Sequence, residues 1–212
     1  MHSYYCGFGN RLVRLKGSMN PVDEGRTVPA TSGGNQRIGQ MLDDFALNRV
    51  DTDASESLGH YLAGKRGAVV VFWSGVCSHC GRYDRYFNEF TTRHPNLGFV
   101  GVASRQNEMG EMIRRTAIDR KLTFPILHDP DARIADRWFA QQTPRAFLMD
   151  SDRVLLYRGA IDNFRYPGEP EYLEYLEPAI ASFLAGKPVQ RFETASFGCD
   201  IKSVYYILPK AL

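Results

Sequence analysis

Cys77 and Cys80 are separated by two residues, Ser78 and His79, and follow an apolar run, Val69-Val70-Val71-Phe72-Trp73. A run of β-branched residues reads as a buried strand, and Tyr83, Phe87 and Phe90 after the pair recur at helical spacing. Strand, short loop, then Cys-X-X-Cys at the start of a helix is the setting in which this spacing does redox chemistry. A nucleophilic cysteine has to reach the thiolate, and its partner has to lie close enough to resolve the mixed disulfide. At the first turn of a helix the unsatisfied amides favour an anion, so Cys77 is expected to attack and Cys80, one turn in and less exposed, to resolve. His79, as an imidazolium, would lower the Cys77 pKa further. A stabilised thiolate favours the reduced form and makes the disulfide more oxidising.

Other readings of the pair stay open at this level. The two cysteines could be structural, or half of a zinc site. Zinc needs about four ligands, and His79, His94, His128 and Cys199 offer no recognisable ligand spacing. Neither metal nor any other bound cofactor is expected. Asp129, Asp131, Asp150 and Asp152 fall in two separate turns without the spacing of a calcium loop, and read as caps and turn residues.

The 212 residues carry 43% hydrophobic and 24% charged residues and a net charge of +2. This is enough chain for one domain with a substantial core. The dispersed charge gives no reason to expect nucleic acid or acidic lipid as a partner. Four cysteines (Cys6, Cys77, Cys80 and Cys199) are too few for a disulfide scaffold. No stretch approaches the roughly 18 apolar residues of a membrane span. Met1–Cys6 shows no signal-peptide core, so a cytoplasmic protein or the mature form of an exported one is expected.

The elements that must hold the pair can be read along the chain. Residues 1–37 are expected to be an irregular extension, with one short strand at Leu12–Leu15 and a flexible junction at Thr31–Asn35. Phe45–Val50 suits a strand, and Ser55–Leu62 a short helix ending at Gly64. The central strand is Ala68–Trp73, and one helix is expected from Cys77 to about Arg93, stopped by Pro95. Leu97–Ala103 is a strand, and Met109, Met112, Ile113, Thr116 and Ala117 mark a helix. Phe124–Leu127 is a short extended piece, and Ile134 and Trp138 share one face of a short helix. Ala146–Met149 and Val154–Tyr157 flank Asp150-Ser151-Asp152 as a β-hairpin. A last helix is expected from near Glu171 to Gly186, kinked or restarted at Pro178. Residues 189–212 form a C-terminal extension with an edge strand at Val204–Leu208. Alternating strands and helices fit an α/β fold with a central mixed sheet flanked by helices.

The order of these elements, with Phe72-Trp73 before the Cys77–Cys80 pair and Thr143-Pro144 downstream, resembles the thioredoxin superfamily. Within it the chain is similar to the redoxin branch of AhpC/TSA and TlpA/ResA-like proteins, over about Ile38 to Pro188. Phe124–Asp129 and Tyr157–Asp162 look like sections common in redoxin-like chains. The resemblance implies a thioredoxin-like domain, 38–188, and a thiol-disulfide oxidoreductase acting on protein or small-molecule thiols. It also implies a cis proline at Pro144, next to the pair in space, leaving a backbone edge at Thr143 open for an extended substrate. Trp73 and Arg145 would then border the substrate groove, although Trp73 is equally suited to core packing.

The departures from the family pattern are specific. Val71 stands where thioredoxins commonly have a carboxylate, Val76 where they have a tryptophan, and Ser78-His79 replaces Gly-Pro. The peroxidase sequence Pro-X-X-X-Thr-X-X-Cys is absent, with only Ser74 three residues before Cys77. A peroxiredoxin-like thiol peroxidase is therefore the second reading. A copper-handling or metal-site assembly protein using soft cysteine ligands is the third. Cys199, in Gly198-Cys199-Asp200-Ile201-Lys202, could be a third redox thiol, a bridge partner for Cys6, or a packed thiol.

Overall fold

The computed structural model describes residues 37–164 and 171–202. The expected strands at Leu12–Leu15 and Val204–Leu208, the junction at Thr31–Asn35 and Cys6 lie outside these residues. In chain order the strands are β1 (Ala46–Arg49), β2 (Ser55–Ser57), β3 (Gly67–Trp73), β4 (Leu97–Ala103), β5 (Ile126–His128), β6 (Gln142–Thr143), β7 (Arg145–Asp150), β8 (Leu155–Gly159) and β9 (Cys199–Asp200). The helices are α1 (Leu58–Leu62), α2 (Ser78–Gly81), α3 (Asp84–Arg93), α4 (Gly110–Asp119), α5 (Arg133–Trp138) and α6 (Leu176–Leu184).

β3 is apolar along its whole length because both of its faces are covered. Ala68, Val70 and Phe72 point into one core, with Leu58 and Leu62 of α1 and Ile134 and Trp138 of α5. Val69, Val71 and Trp73 point into the other, with Phe87 and Phe90 of α3, Ile113 of α4, and Leu176 and Ile180 of α6. This period-two split makes β3 the middle of a helix–sheet–helix sandwich. The seven-stranded sheet runs β2-β1-β5-β4-β3-β7-β8. β3 is parallel to β4 and β4 to β5, whereas β7 is antiparallel to β3 and to β8. The sheet is mixed, as expected. A separate two-stranded ladder joins β6 to β9. No described helix is long and apolar enough to cross a membrane.

Three sequence expectations shift. Ser55–Ser57 are not helical: they pair with β1, and Ser57 then caps α1, its hydroxyl accepting from the His60 amide at 3.3 Å. The single helix expected from Cys77 to Arg93 is two, broken at Arg82 and Tyr83. Gly81 is a weak helix former, and tertiary anchors then decide the break. The Tyr83 hydroxyl donates to Asp162 at 2.5 Å, and Arg82 donates to the Phe164 carbonyl at 2.8 Å while lying over its ring. The last helix begins at Leu176 rather than Glu171. Residues before it are drawn out against the chain after β8, with the Asn163 amide bonded to the Leu173 carbonyl and the Tyr175 amide to that of Ile161. Pro178 is the third residue of α6, in the first turn, where its missing N–H has no intrahelical partner to lose.

Candidate active site

β3 delivers the pair. Past Trp73 the chain leaves the sheet at Ser74 and Gly75, and Cys77 caps α2 with an extended backbone. Gly75 is held from two sides: its amide donates to Glu108 Oε1 at 2.6 Å, and its carbonyl accepts from Arg120 Nη1 at 2.9 Å. Arg120 also pairs with Asp84 at the start of α3 and lies 5.4 Å above the Trp73 ring. A side chain at position 75 would meet Glu108 at 2.8 Å and Thr116 at 2.9 Å, so the clamp needs glycine. The sequence offered no signal for Glu108 or Arg120, which reach the loop from 33 and 45 residues away.

Both cysteines are covered, Cys77 at 1% exposure and Cys80 at 0%. The Cys77 thiol donates to the Thr143 carbonyl at 3.3 Å. Its pKa is lowered to about 4, first by the hydrogen bond from the Cys80 thiol, then by those of Cys199 and Thr143 and the Cys80 amide, against the opposing cost of burial. As a thiolate Cys77 loses its bond to the Thr143 carbonyl, but several donors around one sulfur outweigh that single acceptor. Cys80 is pushed well above the ordinary thiol range by burial, then by its bond to Cys77 and the Cys77 charge. Two thiols whose environments separate their pKa values are suited to different roles, one as nucleophile and one as a proton-bearing partner.

The other residues singled out in the sequence are placed as follows. The Thr143–Pro144 peptide is cis, and Thr143 lies against Cys77. His79 adjoins the pair, but its ring faces Arg82, 3.3 Å from Nδ1, and the Phe197 ring, 5.1 Å between centroids. The largest influences that lower the Cys77 pKa are the other thiols, Thr143 and an amide. Trp73 is wholly buried, packed edge-on against Phe124, so it supports the pair from beneath and does not border a groove. Arg145 turns toward Glu193, at 3.9 Å, and Phe147. A cleft of about 80 Å³ opens beside Pro144, lined also by Tyr83, Ile161, Asp162, Phe164 and Phe197, and neither Trp73 nor Arg145 reaches it.

The backbone edge at Thr143 is not open, contrary to expectation. β9 occupies it, with Thr143 opposite Cys199 and Gln142 opposite Asp200. The Thr143 hydroxyl donates to the Cys199 carbonyl at 3.3 Å, which sets Cys199 beside the residue whose carbonyl accepts from Cys77. Burial, followed by the influence of the Cys77 thiol, raises Cys199 to about 11. The sequence marked Cys199 as a candidate thiol, but a two-residue strand is too short for a periodic signal.

Residues 38–158 match the model of the AhpC/TSA family. Among curated proteins the chain is similar to the thiol-disulfide oxidoreductase ResA of Oceanobacillus iheyensis, 23% identical over 146 residues, covering 67% of this chain and 74% of that one. Among solved structures, an uncharacterized conserved protein from Geobacillus kaustophilus superposes with a TM-score of 0.71 at 23% identity, over 79% of this chain and 92% of the other. A hypothetical protein from Sinorhizobium meliloti 1021 gives 0.70 at 25% identity, over 80% and 96%. These likenesses are those of a thioredoxin-like fold.

Proposed function

Because the chain belongs to the AhpC/TSA family and carries a Cys-X-X-Cys pair at the end of its central strand, its chemistry is thiol–disulfide exchange, and we propose that Cys77 attacks and Cys80 resolves. The observation that carries this assignment is the opposed environment of the two thiols, Cys77 held down to about 4 and Cys80 held up by burial. The Cys77 thiolate attacks one sulfur of a disulfide R–S–S–R′, forming Cys77–S–S–R and releasing R′S⁻. The negative charge on Cys77, one of the influences that keep Cys80 protonated, disappears in that step. Cys80 then loses its proton more readily, attacks the Cys77 sulfur, expels RS⁻ and closes the Cys77–Cys80 disulfide. Two electrons pass from the pair to the substrate, and the reverse sequence oxidises a dithiol.

The partner is a protein or small-molecule thiol or disulfide. Thr143 and Pro144 position the Cys77 side of the pair, and the cleft beside Pro144 admits a small group. A thiolate stabilised by several donors favours the reduced state, which supports the oxidising end of the range found in such proteins.

The test is the reduction potential of the pair, by equilibration in glutathione buffers followed by alkylation and peptide mass mapping. A reversible Cys77–Cys80 disulfide with a potential at about −120 to −200 mV is the expected result, while about −270 mV would make the protein a reductant. No reversible disulfide between the two would overturn the reading. Rapid, selective oxidation of Cys77 by peroxide would favour a thiol peroxidase instead.

A further inference from the structure

The segment that covers Cys77 is held on both sides of the site. Before it, the Thr194 amide bonds to the Arg158 carbonyl at 3.1 Å, and its hydroxyl accepts from the Ala160 amide at 3.0 Å. After it, Ile201 is 2% exposed, its amide bonded to the Gln141 carbonyl at 2.9 Å and its carbonyl to the Gln106 amide at 2.9 Å. Lys202 Nζ pairs with Asp136 of α5 at 2.5 Å. Between these anchors Phe197 packs on His79, and Gly198 lies flat against Thr143. A methyl group at position 198 would be 1.8 Å from the Thr143 carbonyl oxygen and 3.3 Å from the Pro144 nitrogen, so only bare backbone fits. The next residue is Cys199, paired with Thr143, whose carbonyl accepts from the Cys77 thiol at 3.3 Å.

An extended chain that adds to an exposed strand edge takes its affinity from backbone bonds and its specificity from the side chain presented at one position. Here the edge is the one beside the attacking cysteine, and the side chain presented is a thiol. We propose that Gly198–Asp200 is a built-in substrate strand and that Cys199 is a third redox thiol, forming a disulfide with Cys77. This deepens the oxidoreductase reading and rests on it. When Cys77 holds a mixed disulfide Cys77–S–S–R, the deprotonated Cys199 thiol attacks the Cys77 sulfur, forming Cys77–S–S–Cys199 and releasing RS⁻, which takes up the proton. Cys80 can then displace Cys199 in the same manner, giving the Cys77–Cys80 disulfide and a Cys199 thiol. Each exchange forms one S–S bond and breaks one. A macromolecular substrate has to displace β9 to pair with Thr143, whereas a small disulfide needs only to reach the sulfur.

The test uses the full chain with Cys80→Ser, oxidised with oxidised glutathione, quenched with an alkylating agent and digested with trypsin. The expected product links peptide 67–82 to peptide 192–202 through one disulfide, in most of the molecules. The link should form at least about tenfold more slowly in denaturant, where the strand no longer holds the two thiols together. Cys77 left as a glutathione adduct without that link would overturn the proposal, as would an equal rate in denaturant. The unsubstituted chain separates this failure from that of the parent reading: a reversible disulfide within peptide 67–82 shows that Cys77–Cys80 exchange stands whether or not Cys199 takes part.

Discussion

Cys199 lies directly opposite Thr143 in a two-stranded antiparallel ladder, and the Thr143 hydroxyl donates to the Cys199 carbonyl at 3.3 Å. Thr143 is also the residue whose carbonyl accepts from the Cys77 thiol. One residue thus fixes both the attacking sulfur and the strand that covers it. The reactivity of Cys77 is therefore coupled to the seating of a segment 122 residues further along the chain (199 minus 77).

The first prediction concerns the ionisation of Cys77. With a pKa of about 4 against an ordinary 9.0, its alkylation rate in the reduced protein should be flat from pH 9 to about pH 5 and fall below that. Cys80→Ala removes the largest stabilising donor, and the fall-off should move up by about one pH unit or more. The same shift makes a statement about stability. A depressed folded-state pKa contributes stability to the reduced form that is complete above pH 9, shrinks as pH falls and is gone below pH 4. Rates of iodoacetamide labelling, read by peptide mass at each pH, check both variants.

Gly198→Ala should unseat β9, because the added methyl would lie 1.8 Å from a backbone oxygen that cannot retreat. The Cys77 thiol, now 1% exposed, would become open to reagent. Its alkylation at neutral pH should accelerate by about tenfold, which corresponds to a loss of about 1.4 kcal/mol in strand docking. An unchanged labelling rate would mean that the strand is not what covers the thiol.

Ile201→Ala should loosen the same segment by a different route. Removing a buried isoleucine side chain costs about 2–5 kcal/mol when the cavity does not collapse. The effect should be concentrated locally, so the amides of Ile201 and Gln106 should exchange with solvent much faster, while those of β3 and β4 change little. Hydrogen exchange resolved by residue makes that distinction.

Arg120→Ala should weaken the support of the pair from the other side. Its guanidinium binds Asp84 and the Gly75 carbonyl and is about three-quarters buried, with side-chain exposure of 23%. Truncation takes the guanidinium from a carboxylate as buried as itself, with side-chain exposure of 21%, and from the Gly75 carbonyl, at a cost of about 2–3 kcal/mol. A denaturation midpoint that does not move would show that the clamp on Gly75 is redundant.

Ser74→Ala is expected to leave stability unchanged or raise it by up to about 1 kcal/mol. Among the described residues the buried Ser74 hydroxyl has no hydrogen-bond partner, so little of the folded state's stability comes from its polarity. A loss above about 1 kcal/mol in thermal or denaturant unfolding would contradict this.

Much of this arrangement was legible along the chain because it is local. Val69–Trp73 announced a buried strand, and the two-residue spacer announced a pair that can close a disulfide. The hairpin at Asp150–Asp152, the strand at Leu97–Ala103 and the short helix holding Ile134 and Trp138 follow from periodicity and turn chemistry in windows of a few residues. The break between α2 and α3 did not, because it is set by Tyr83 reaching Asp162, 79 residues away.

The sequence alone determined which residues can do the chemistry: a thiol pair at redox spacing, a Thr143–Pro144 step, and one further cysteine in a Gly-Cys-X-Ile-Lys segment. Only the tertiary structure decided what surrounds them. It buried Trp73, turned Arg145 away, tied His79 to Phe197, clamped Gly75 between Glu108 and Arg120, and laid Cys199 on the edge that the sequence left open to a substrate. The reason is physical: propensity and periodicity act over neighbouring residues, whereas strand pairing at an edge and the pKa of a thiol depend on which distant groups the fold brings within hydrogen-bonding reach.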